Sequence, residues 1–431
     1  MTTWNYNARY IMEGTLSSNM LQSRTASVKL KWQQALVIRM LKQMKRGYME
    51  IVLPGGELIG IGDPASDHKA RMRIIDPAFF SKCIRYGDVG FGESYVDGDW
   101  ETDSITRVIN WFILNIDESP TISGSRRRFV PLNILKSINR WYHRSRENTV
   151  KIARRNISEH YDLSNDFFKL FLDPGMTYSS AYFTAPDRTL EEAQSEKYDR
   201  LCRQLQIKPT DHVLEIGSGW GGFAVHAAKN YGCKITTVTI SERQLQYAKG
   251  RFEREGLSDK ITILLTDYRK LTGQFDKIVS IEMLEAVGHK YLKAYFAQCH
   301  ALLKPAGILG LQVITCPDTR YDSLRKNVDW IQKHIFPGSL LPSIAALNQA
   351  INKTGELTLV DLKNMGHHYA RTLATWRENF NRNKEQVKDL GFDSRFIRKW
   401  NYYFSYCEAA FHMRNINVVQ MVYTRPNNIA Y

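Results

Sequence analysis

Val213-Leu214-Glu215-Ile216-Gly217-Ser218-Gly219-Trp220-Gly221-Gly222-Phe223 begins as a short apolar strand, enters a glycine loop and continues into a helical pattern. Glycine lets such a loop turn sharply and brings the backbone close to a bound molecule, because no Cβ stands in the way. The spacing Gly217-x-Gly219-x-x-Gly222 also fits the dinucleotide fingerprint. The loop alone therefore leaves two cofactor classes open.

The sequence around this loop alternates. Strand-like runs fall at Val213–Ile216, Ile235–Ile240, Ile261–Leu265, Lys277–Ile281, Ile308–Ile314, Leu357–Leu362 and Val418–Tyr423. Helical patterns occupy 221–231, 242–255 and 290–303. This alternation predicts a mostly parallel, doubly wound sheet. Residues 316 to 350 interrupt it and form a candidate lid. There are no internal repeats or low-complexity tracts.

Chemistry at the strand ends separates the two cofactors. Glu215 closes the first strand, where a carboxylate can hold an ammonium group. Thr239, Ser241 and Gln244 follow the second strand, where ribose hydroxyls would lie. Asp267-Tyr268 follows the third and offers adenine an acceptor and a ring. Ligands of such sheets sit at the carboxyl ends of strands. The set points to S-adenosylmethionine, and so to methyl transfer, on a class I methyltransferase fold. Read as the seven-stranded sheet of that class, the alternating half should have its last, hairpin-like strand, Val418–Tyr423, antiparallel to the rest.

The rest of the chain reads differently. Residues 1 to about 25 are polar and unpatterned, and Leu30 to Met44 has helical periodicity. Met49–Leu53, Leu58–Ile61 and Ala70–Ile75 read as short strands, with Pro54-Gly55-Gly56 as a turn and Asp76 capping a helix with Phe79, Phe80 and Cys83. A small α+β domain over residues 1–118 is expected. A basic linker over 119–155 and a methyltransferase domain over 156–431 follow. The linker carries ten Lys and Arg residues, from Arg126 to Arg155, against the single acid Glu147. Ile134, Ile138, Trp141 and Tyr142 are interleaved at helical spacing, as an anionic membrane surface would select.

Composition bounds the partners. The 431 residues are 43% hydrophobic and 24% charged, an ordinary folded composition. The net charge of +15 favours polyanions, either nucleic acid or anionic lipid. No nucleic-acid module is recognisable. The six cysteines show no C-x-x-C pair, which argues against a zinc site and fits reduced thiols. The longest apolar stretch, Val108 to Ile116, is too short to span a bilayer. A cytoplasmic protein in peripheral contact with membrane is expected.

Ordered blocks through the second half resemble the cyclopropane fatty acid synthase family. They include Glu159-His160-Tyr161-Asp162, Met176-Thr177-Tyr178-Ser179-Ser180-Ala181-Tyr182-Phe183, the glycine loop, Glu282-Met283-Leu284-Glu285-Ala286-Val287-Gly288-His289, Ile335-Phe336-Pro337-Gly338 and His368-Tyr369-Ala370-Arg371-Thr372-Leu373. Gly87–Trp100 is similar to that family's smaller N-terminal domain. The resemblance implies methylene transfer from S-adenosylmethionine to a cis double bond of an unsaturated phospholipid acyl chain. It also implies a bicarbonate ion as the base, and often a homodimer.

The residues at the matching catalytic positions are Ser180, Glu285, Gln312, Ile314 and Tyr369. Two depart from the pattern: many members carry Cys at Ser180 and His at Gln312. The cofactor set is Tyr178, Ser179, Glu215, Gly217, Gly219, Gly221, Thr239, Ile240, Gln244, Asp267, Tyr268 and Ile281. No metal site is expected. The departures leave open whether the product is a ring or a methylene or methyl branch. A nicotinamide oxidoreductase, a nucleic-acid methyltransferase and a non-catalytic lipid-binding protein stand as alternatives at this point.

Overall fold

The computed structural model describes residues 32–117, 163–429 and 431. The N-terminal arm, the basic linker and the block Glu159–Asp162 lie outside these residues.

The glycine loop sits where the sequence predicts, at the centre of a seven-stranded sheet. Its strands are β5 His212–Ile216, β6 Lys234–Thr239, β7 Ile261–Leu265, β8 Phe275–Ile281, β9 Leu303–Thr315, β10 Thr358–Asn364 and β11 Asn417–Thr424, in the order β10-β11-β9-β8-β5-β6-β7. β5 to β9 run parallel, and β11 lies antiparallel between β9 and β10. Val213, Leu214, Ile278, Val279, Leu309 and Leu311 are essentially fully buried. Central parallel strands covered by helices on both faces need such continuous apolar runs. Chain order reverses at β5, with β6 and β7 to one side and β8 and β9 to the other. This switch point opens a crevice at the carboxyl ends of the strands.

Three short helices, Asp318–Leu324, Trp330–His334 and Ile344–Ile351, fill the interruption expected at 316–350. The long helices Gly366–Arg382 and Ser394–His412 cover the same end of the sheet. Their inner faces build an aromatic core with the helix Asn165–Lys169. Trp400 meets Phe167 at 4.8 Å between ring centroids, and Phe171 at 5.5 Å.

A second sheet precedes this unit. Its strands β1 Tyr48–Val52, β2 Leu58–Gly62, β3 Lys69–Ile74 and β4 Trp100–Glu101 pair in the order β2-β1-β3-β4. Met49, Ile51, Ala70, Met72 and Ile74 alternate inward. The glycine-dense Gly87–Tyr95 is mostly helix, Asp88–Asp97. Its glycines admit close neighbours: a Cβ on Gly92 would lie 2.5 Å from Trp330 Cδ1 and 2.7 Å from Tyr402 Cε1. Arg398 donates to the Tyr95 and Trp100 carbonyls at 2.6 and 2.9 Å. Glu408 accepts from Thr106 at 3.1 Å and from Arg377 at 2.9 Å. The N-terminal helices and the helices over the sheet thus share one apolar core.

Gly92→Ala tests this close approach. The added methyl should overpack the Trp330–Tyr402 contact and destabilise the fold by about 1–3 kcal/mol in urea denaturation. An unchanged midpoint and slope would contradict it.

Candidate active site

The cofactor cradle follows from the turn after β5. Gly217 has φ +99°, a conformation that L side chains rarely adopt. The Gly217 and Ser218 N–H groups both donate to the Val238 carbonyl, at 3.1 and 3.0 Å, which ties the loop to β6. Glu215 is buried and accepts a 2.6 Å bond from Thr237 Oγ1, while burial pushes its carboxyl up to about 8. Thr239 Oγ1 donates to Gln244 Oε1 at 2.9 Å. Asp267 accepts from Arg269 Nε at 2.8 Å and Nη2 at 2.6 Å. Burial alone would raise that carboxyl, but the guanidinium holds it below its usual range. The Tyr268 ring is set edge-on against Tyr295.

These groups line one cavity of about 390 Å³, within the usual range for ligand pockets of roughly 300–1,000 Å³. Of the predicted cofactor residues, Tyr178, Ser179, Glu215, Gly217, Gly219, Thr239, Ile240, Gln244, Asp267, Tyr268 and Ile281 face it. Gly221 does not line it. With φ +84° it caps the helix Gly222–Tyr231, and Gly222 lines the cavity instead. The cradle fits an adenosyl donor in charge and shape: a carboxylate near the loop, a ribose-side cluster and an adenine-side acceptor with a ring.

The same cavity continues to an apolar end lined by Phe336, Leu340, Leu341, Tyr403, Ala410, Phe411 and Ile416. It also contains two carboxylates three residues apart. Glu282 follows the last residue of β8, and Glu285 sits in the short turn Leu284–Ala286. Register with β9 brings Gln312 opposite Ile281 and places Ile314 two residues further. Tyr369 comes from the helix Gly366–Arg382, and Ser180 from the segment before the helix Leu190–Gln204.

The sequence reading missed Glu282, which is the hub of this group. Protein surrounds it, and its accessible surface faces the cavity. Its Oε1 accepts from the Ser180 N–H and from Gln312 Nε2, both at 2.8 Å. Its Oε2 accepts from Tyr369 Oη at 2.8 Å. Its backbone has φ +49°, a left-handed conformation that costs a non-glycine residue about 1 kcal/mol or more. Two acids within four residues after an apolar strand were the available signal.

Glu285 is poorer in partners. Its Oε1 accepts from the Ile314 N–H at 2.5 Å, and its Oε2 has no partner among the described residues. Burial and the neighbouring Glu282 charge push its carboxyl up to about 8. Lys197 is also buried, and donates to Ser179 Oγ at 2.7 Å. Burial lowers its ammonium to about 7, while Glu282, Asp173 and Glu215 oppose that drop. Burial also raises the Glu282 carboxyl above its usual range, while its three donors and this nearby cation oppose that rise; repulsion between the two acids favours keeping a proton on Glu285.

Of the five expected catalytic residues, Glu285, Ile314 and Tyr369 line the cavity, whereas Ser180 and Gln312 do not. Ser180 Oγ turns away to the Ala181 carbonyl at 3.0 Å. The donors that a bicarbonate would need already have protein partners: those of Ser180, Gln312 and Tyr369 go to Glu282, and that of Ile314 goes to Glu285. The arrangement does not fit a bound bicarbonate. Among the described residues there is no cluster that could hold a metal ion, and no helix is long and apolar enough to cross a membrane.

Several known proteins resemble this chain over most of its length. A family model described as mycolic acid cyclopropane synthetase matches residues 148–421. A tuberculostearic acid methyltransferase from Mycobacterium tuberculosis is 39% identical over 385 residues, 88% of this chain and 88% of its own length. A cyclopropane-fatty-acyl-phospholipid synthase from Escherichia coli is 38% identical over 366 residues, 83% of this chain and 88% of its own. A crystal structure of a mycolic acid cyclopropane synthase complexed with SAH and CTAB superposes with a TM-score of 0.59. It is 30% identical and covers 63% of this chain and 98% of its own.

The raised Glu285 carboxyl has a measurable consequence. In the unfolded chain it ionises near 4.5, and in the folded protein near 8. Between these values the folded state holds a proton that the unfolded state has released, so this group's contribution to stability falls as pH rises. Glu285→Gln should therefore lose less stability than the wild type across that window, by on the order of 1–4 kcal/mol. Equal slopes in pH-dependent urea melts would contradict a protonated Glu285.

Proposed function

The chain belongs to the mycolic acid cyclopropane synthetase family of S-adenosylmethionine-dependent methyltransferases, and on that footing we propose that it acts on a cis double bond of unsaturated phospholipid acyl chains. The methyl carbon of the donor is added there and closed into a cyclopropane ring. The observation that carries this reading is the continuity of the cavity. One continuous cavity is lined by the residues of the adenosyl cradle, by the paired carboxylates and by an aromatic, apolar end.

The chemistry requires that combination. An alkene is a weak nucleophile, so the methyl group must ride on a sulfonium, and the reacting centre must be dry. As the C–C bond forms, the S–CH₃ bond breaks and its electron pair stays on sulfur. The remaining alkene carbon becomes a cation. Faces of Tyr178, Phe336, Tyr403 and Phe411 around the cavity can stabilise that charge. Loss of a proton from the added methyl then supplies the electron pair of the third ring bond.

A second reading is favoured by the 39% identity to the tuberculostearic acid methyltransferase. A hydride shift before proton loss would leave an exocyclic methylene branch instead of a ring. Both readings share the same transfer and the same need for a base. In either, the basic segment 119–155 docks the enzyme on anionic phospholipid and the unit 1–118 helps present the chain.

The test combines full-length protein, vesicles of unsaturated anionic phospholipid and methyl-labelled S-adenosylmethionine, with the fatty acids read by NMR. Labelled ring protons are expected; labelled vinylic methylene protons would select the second reading. Bound cofactor without label in lipid would contradict both.

A further inference from the structure

Three hydrogen-bond donors from distant parts of the chain converge on the Glu282 carboxylate: the Ser180 N–H, the Gln312 amide and the Tyr369 hydroxyl. The Gln312 amide has its orientation set from behind. Its Oε1 accepts from Gln420 Nε2 at 3.1 Å, so its nitrogen must face Glu282. Three of the five residues that the family resemblance assigns to a bicarbonate are thereby engaged with a side chain of the protein itself. A carboxylate and a bicarbonate present the same planar O–C–O edge to donors. The backbone at Glu282 is left-handed, where glycine would sit without strain, so a side chain is kept here against the local preference.

We propose that the Glu282 carboxylate occupies the anion site in this chain and is the base of the reaction, in place of a bound bicarbonate. The inference rests on the alkene-methylation reading for its catalytic half; the occupancy half stands apart from it. Glu282 Oε2 takes the proton from the methyl group just added, and the C–H electron pair closes the ring. The proton then leaves to solvent when product departs. No oxidant, reductant or further ion enters the balance. Glu285 lines the same cavity and contributes as a neighbouring acid, its buried Oε2 without a hydrogen-bond partner among the described residues.

The test measures binding first and turnover second, on full-length protein with S-adenosylhomocysteine bound. ¹³C-labelled bicarbonate is titrated and followed by NMR for wild type, Glu282→Gly and Glu282→Gln. Wild type is expected to show no stoichiometric binding at millimolar bicarbonate. Glycine accepts the left-handed backbone, so Glu282→Gly should fold and bind one bicarbonate per chain. Glu282→Gln keeps the site filled and should bind none.

In the lipid assay both variants should lose about 100-fold or more in carbonate-free buffer. Bicarbonate should restore at least about tenfold to Glu282→Gly and nothing to Glu282→Gln. The wild-type rate should not change on removing carbonate. One bicarbonate bound to wild type, a carbonate-dependent wild-type rate, or no binding to Glu282→Gly would each overturn the proposal. If binding follows expectation but no variant and no wild type labels lipid, it is the alkene reading that fails, and with it the assignment of Glu282 as base.

Discussion

Two carboxylates enclosed at the end of β8 are the constraint around which the active end of this protein is organised. An ionised acid away from bulk water is costly unless donors surround it. Glu282 meets that demand with three hydrogen bonds, and Glu285 meets it by keeping its proton. Each donor comes from a different element: a loop, strand β9 and the helix Gly366–Arg382. The parallel register of β8 and β9 fixes Gln312 and Ile314 against the pair. The antiparallel β11 supports Gln312 from behind through Gln420. A slip of one residue in that register would turn both groups to the other face.

The aromatic helices over the sheet serve the same end. They bury Phe167, Phe171, Trp376, Phe380, Trp400 and Phe404, and extend the cavity into apolar surroundings beside the carboxylates. The burial that makes Glu285 hold a proton would, in the proposed reaction, also keep water away from a carbocation. Packing, protonation and reactivity are therefore consequences of one arrangement. The N-terminal sheet joins it through Gly92, Arg398 and Glu408, so that a single core carries both.

Much of this was legible in the residues. Apolar runs located all seven strands, with β9 beginning five residues before the expected Ile308, and the last strand is antiparallel as expected. The glycine loop and the acids at strand ends, read from short-range sequence, line one cavity in the fold. Glu282 was not legible as a hub. Its partners lie 102, 30 and 87 residues away, and its backbone angle is set by the fold. Ser180 and Gln312 were expected at an anion for the same reason. Sequence shows hydrogen-bonding capacity, while only the fold shows that Glu282 has taken it.

A high-resolution crystal structure grown from bicarbonate-containing solution with S-adenosylhomocysteine bound tests the central claim most directly. The account predicts the Glu282 carboxylate on the Ser180 N–H, the Gln312 amide and the Tyr369 hydroxyl, with no separate anion among them. A bicarbonate on those donors, with the Glu282 side chain displaced, would contradict it.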